Sequence, residues 1–98
     1  MKRQFTVKYR YGKTTLTADT EKRMFTFGNI SAAMIRQIME QINPEMRAVF
    51  GNYTWQICET RGGYAILARS GRNVFTESTG KTPQQAFWNC YQVRAILG

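Results

Sequence analysis

The sequence predicts an α+β domain: an antiparallel sheet from two three-stranded meanders at about 4–28 and 53–78, an amphipathic helix at about 30–42, and a C-terminal helix at about 83–97. Three observations carry that expectation. Apolar and polar residues alternate in both meanders, the period lengthens to that of a helix between them, and a helix-start signal follows the second. At 98 residues and 43% hydrophobic content, the chain has the size of a single domain with one modest core.

In the first meander, Phe5, Val7 and Tyr9 alternate with Thr6, Lys8 and Arg10, the period-two pattern of a half-buried strand. Gly12 permits a tight turn. Residues 14–18 continue as a second strand, residues 19–22 turn again, and Met24, Phe25, Thr26 and Phe27 make a short third strand. After Gly28 and Asn29 the pattern changes, with Met34, Ile35, Ile38, Met39 and Ile42 at helical spacing and Arg36, Gln37, Glu40 and Gln41 on the other side. Asn29 or Ser31 caps this helix, and Asn43-Pro44 ends it, because the residue before proline is pushed out of the helical region. Pro44 then opens a short helical turn over residues 45–50, which Gly51 stops.

The second meander alternates at Tyr53, Trp55 and Ile57, turns at Arg61-Gly62-Gly63, and alternates again at Tyr64, Ile66 and Ala68. A turn at residues 70–73 leads to a strand over 74–78. Thr82-Pro83-Gln84-Gln85 combines an N-cap hydroxyl, proline at the first helical position and a Gln three residues past the cap, a capping box. Ala86, Phe87, Cys90, Val93 and Leu97 then form the apolar stripe of the last helix.

Charge points to an anionic partner. Fourteen Lys+Arg against six Asp+Glu give +8, and nine of the cations are Arg, whose planar fork suits phosphates, aromatic faces and acidic protein patches. Lys8, Arg10 and Lys13 make a candidate ridge on the solvent side of the first meander; Arg61, Arg69, Arg72 and Lys81 gather around the second. A plain solvated sheet face is the alternative for the ridge. Trp88 falls off the apolar stripe and is a candidate aromatic contact, with a Trp covering the sheet edge as the more ordinary reading; Tyr11 at a hairpin tip carries the same two readings.

Reactive groups are scarce. There is no His, Asp19 is the only aspartate, and Cys58 and Cys90 are too few and too far apart for a disulfide framework or a metal site. Both cysteines read as buried thiols, with a bridge between them as the alternative. Glu59 and Glu77 could be set facing one another across the second meander, but paired strand-edge glutamates balancing Arg69 and Arg72 are the more ordinary reading. Gly80-Lys81-Thr82 lacks the first glycine of a phosphate loop, since Phe75 stands there, and reads as a strand-to-helix turn with Lys81 beside the helix start. No enzymatic activity, metal or cofactor is expected. No apolar run is long enough for a membrane span or a signal peptide, so a cytoplasmic protein without membrane association is expected.

From the first helix or the Pro44 turn onward, the order helix, three strands, helix resembles the double-stranded-RNA-binding domain. The nearest stretch runs from Tyr53-Thr54-Trp55-Gln56-Ile57 to Gly80-Lys81-Thr82-Pro83-Gln84-Gln85-Ala86, and the resemblance covers residues 44–98. It implies nucleic-acid contact without catalysis. That family grips phosphates with a lysine cluster at the start of its last helix, where this chain has only Lys81, followed by Pro83, Gln84 and Gln85. The tail is equally similar to the arm-binding domains of phage integrases and to small α/β proteins of phage genomes.

Three functions follow as expectations. The first is a nucleic-acid-binding module using Lys8, Arg10, Lys13, Arg61, Arg69, Arg72 and Lys81 on phosphates. The second is a small phage- or mobile-element-type protein that binds an acidic surface on a host nucleic-acid-processing enzyme and inhibits or modulates it. The third is a homodimeric structural protein, because the first meander leaves sheet edges open to pairing.

Overall fold

The alternating segments form two antiparallel sheets in a computed structural model that describes residues 2–26 and 30–98. β1 (Lys2–Tyr9), β2 (Gly12–Asp19) and β3 (Met24–Phe25) make the first; β4 (Thr54–Thr60), β5 (Gly63–Ser70) and β6 (Asn73–Gly80) make the second. The fold class is α+β, and the two meanders are separate sheets. Phe27, expected in the third strand, and Gly28 and Asn29, expected as turn and cap, lie outside the described residues.

In the first sheet Phe5 pairs with Leu16 and Arg3 with Ala18, which turns Phe5, Val7, Leu16 and Ala18 onto one buried face. The neighbouring pairs Gln4–Thr17, Thr6–Thr15 and Lys8–Lys13 therefore share the opposite, outer face. In the second sheet Trp55, Ile57, Ile66 and Ala68 point inward. One cluster of buried side chains joins both inner faces to the helices.

Between the sheets runs α1 (Ala32–Phe50), capped by Ser31, whose hydroxyl accepts from the Met34 amide, and closed by Gly51 at φ 108°. The expected stop at Asn43-Pro44 is corrected: the helix continues through Pro44 for six more residues. Ile42, Met46 and Phe50 prolong the apolar stripe, and burying them outweighs the hydrogen bond that proline removes on the exposed side.

The expected single C-terminal helix is also corrected. It is broken at Cys90, whose backbone is extended (φ −76°, ψ 111°), into α2 (Pro83–Asn89) and α3 (Tyr91–Leu97). Within the short α2, Ala86, Phe87 and Trp88 are buried in succession rather than along one stripe, so this helix is covered on more than one side. Thr82 caps α2 as expected, its hydroxyl accepting from the Gln85 backbone amide, while the Gln85 side-chain oxygen Oε1 accepts from the Lys81 amide, one residue before the capping-box position.

Glycine at position 80 is required by close packing. A Cβ there would lie 2.4 Å from the Ala86 amide nitrogen and 2.7 Å from the Gln85 carbonyl carbon, both backbone atoms of α2. Gly80→Ala is expected to cost about 1–3 kcal/mol as an overpacked contact, read as a fall in denaturation midpoint. An unchanged midpoint would mean that α2 does not seat on β6 as described.

Candidate nucleic-acid interface

Lys8 and Lys13 are direct cross-strand partners, both exposed on the outer face of the first sheet. Like charges directly opposite one another destabilise a strand pair, so this placement gains from an anion between or above them. Around them, Thr6, Gln37, Glu40 and Gln41 complete a shallow depression between β1 and α1.

A second depression, of about 300 Å³, lies on the far side of α1, where Arg36 and Glu40 face Gln56, Cys58, Leu67 and Arg69. Glu40 belongs to both depressions. The two depressions adjoin across α1 at Glu40, with Lys8 and Lys13 lining one and Arg36 and Arg69 the other. Among the described residues the one ion pair is Arg3 with Glu45, at 2.5 Å. None of those four cations is in that ion pair, and Glu40 is the one carboxylate lining the two depressions.

Two side-chain groups on α1 hold this surface in place. Gln37 accepts from the Lys8 amide and donates to the Lys8 carbonyl, each at 2.7 Å, and Gln41 donates to the Thr6 carbonyl at 2.9 Å. On the other flank, Asn43 accepts from the Trp55 amide at 2.7 Å and donates to the Trp55 carbonyl at 2.9 Å. Amide side chains thereby take the place of a neighbouring strand along β1 and β4.

The other sequence-predicted cations fall at strand ends. Arg10 lies in the β1–β2 turn with its guanidinium over the Tyr11 ring, 5.6 Å from the centroid, and Tyr11 is 82% exposed. Arg72 occupies the β5–β6 turn near Arg69, while Arg61 is in the β4–β5 turn. Lys81 joins Arg61's end, because a Cβ on Gly63 would be 3.0 Å from the Lys81 Cα. β5 has eight residues, so at about 3.3 Å per residue these two ends are roughly 23 Å apart. The four cations of the second meander are therefore two separate pairs.

Trp88 is not a surface contact. It is 3% exposed, with its ring 5.2 Å from Phe25 and 5.0 Å from Phe87, and it joins the first sheet to α2. Glu59 and Glu77 do not face one another, since β5 stands between their strands; Glu77 accepts from Gln92 instead. Cys58 and Cys90 are free thiols, Cys58 half-buried and Cys90 buried, and burial pushes the Cys90 thiol up from its ordinary range. The turn at Gly80 offers no open phosphate cradle, because the Lys81 and Gln85 amides are already bonded within the chain.

Arg36 is the residue that sequence reading missed. Its position on the polar side of a helix is unremarkable, and only the seating of α1 against β4 brings it to Arg69. Among the described residues no group of three or more His, Cys, Asp or Glu could hold a metal ion, and no helix is long and apolar enough to cross a membrane. No protein-family model, curated protein or solved structure matches the chain.

Proposed function

We propose that the chain is a non-catalytic nucleic-acid-binding module that holds phosphates along the outer surface formed by Lys8, Lys13, Arg36 and Arg69, with Arg10 and Arg72 at its margins. The observation that carries this reading is the set of cations lining the depressions on both sides of α1, including a like-charged pair locked in register. Phosphate contacts of this kind orient a ligand without reading bases, so affinity for many sequences is expected. Arg61 and Lys81, at the other end of the second sheet, extend the footprint for a longer ligand.

Fluorescence anisotropy with a duplex and a single strand, titrated between about 50 and 200 mM salt, tests the reading. Four phosphate contacts at about 0.9 each predict a slope near −3.6 in log K against log salt for duplex, roughly a 150-fold loss over that range. Absence of binding to either ligand at about 50 mM salt overturns the reading and passes the same cations to an acidic protein surface.

A further inference from the structure

The turn between β1 and β2 differs from those of the second sheet. Each of the three hairpins closes on a two-residue turn, and both turns of the second sheet hold a glycine, Gly62 in one and Gly71 in the other. In the first sheet the pair is Arg10-Tyr11, and neither residue takes a positive φ, so nothing in the turn geometry calls for an aromatic ring. Packing does not call for one either. Tyr11 belongs neither to the buried cluster nor to the half-buried side chains against it, and at 82% it is the most exposed large apolar side chain among the described residues.

The surroundings of the ring are cationic. The Arg10 guanidinium lies over one face, which leaves the other to solvent. Past the Tyr9–Gly12 pair, the Lys8–Lys13 pair stands two residues back along the hairpin, roughly 7 Å from the turn at about 3.3 Å per residue. Residues 1–18 include five cations and no carboxylate. An acidic protein surface offers anions without planar faces to match, whereas a nucleotide chain offers a phosphate and a base together.

We propose that Tyr11 is a stacking platform for an unpaired base, and that the ligand preferred at the Lys8–Lys13 surface is a single strand. Phosphates rest on the lysines, and the adjoining base lies on the ring face that Arg10 leaves open. Within a duplex the bases already stack on one another, so the ring gains little there. Every base has a π-face, so the contact selects strand form and not sequence. This inference rests on the nucleic-acid reading and adds the form of the ligand to it.

Fluorescence anisotropy at about 50 mM salt tests it with three labelled ligands of equal length, about 12 nucleotides: an oligothymidine strand, the same sugar–phosphate chain without bases, and a blunt duplex. The wild-type chain is expected to bind oligothymidine about 5- to 150-fold more tightly than the baseless strand, the margin that one stacked base supplies. Tyr11→Leu keeps an apolar side chain and removes the ring. It should abolish that margin while leaving the duplex affinity and the salt slope on oligothymidine unchanged, because no phosphate contact is lost. Tyr11→Phe should bind as the wild type does. Equal wild-type affinity for strands with and without bases, or a Tyr11→Leu loss as large on the duplex as on the single strand, overturns the inference and leaves the phosphate reading standing. Absence of binding to all three ligands overturns both.

Discussion

Asn43→Leu is expected to lower the stability of the fold by about 2–6 kcal/mol, more than any other single polar substitution on α1. Asn43 is 5% exposed, and its amide bonds both the N–H and the C=O of Trp55 as well as the Met39 carbonyl at 2.6 Å. Leucine keeps the branched outline, though its methyls are bulkier, and leaves two backbone groups of β4 buried and unpaired, each costing about 1–3 kcal/mol. Domains of this kind have about 5–15 kcal/mol in all, so the loss is a large fraction of the total. Gln41→Ala gives the contrast: its partner, the Thr6 carbonyl, lies at an exposed position where water replaces the lost bond. Urea titration should show a large drop in midpoint for Asn43→Leu at unchanged slope, and a small one for Gln41→Ala. Equal midpoints would remove the edge-sealing role assigned to Asn43.

That role also marks where local sequence signals stop. The alternation at Phe5-Val7, Trp55-Ile57 and Ile66-Ala68 reports burial on one sheet face, and the structure buries those residues. The Thr82-Pro83 start is equally local, and α2 begins there. Pro44 and Cys90 misled for opposite reasons. Proline's local preference to end a helix was overridden by packing of Met46 and Phe50, whereas the stripe through Phe87 and Val93 hid a break that periodicity cannot register. Trp88 lies off the Phe87 stripe and is covered instead by Phe25 of the first sheet, a long-range contact that periodicity cannot register. Gln37, Gln41 and Asn43 carry no pattern at all: a polar residue facing solvent and one sealing a strand edge look alike until the helix is placed. The homodimer expectation rested on the edges of the first meander, and there Gln37 and Gln41 of α1 bond the β1 backbone at Lys8 and Thr6.

Replacing Lys8, Lys13, Arg36 and Arg69 together by alanine is expected to flatten the salt slope on duplex by about 3.6 and to weaken binding at about 50 mM salt by roughly a hundredfold or more. Removing Arg61 and Lys81, at the other end of the second sheet, should leave the slope near −3.6 on a duplex too short to reach them, where number alone would flatten it by about 1.8. If net charge alone governed binding, each lost cation would count equally wherever it stood, and the effect would scale with number instead of position. Within the four, Lys8 and Lys13 allow a sharper separation. Their register sets like charges opposite one another, so Lys8→Ala with Lys13→Ala should raise the melting temperature of the free protein while lowering its affinity. A pair kept only to support the sheet would move both quantities down together. Opposite signs in the two measurements therefore assign these lysines to a ligand, and a fall in both returns them to the fold.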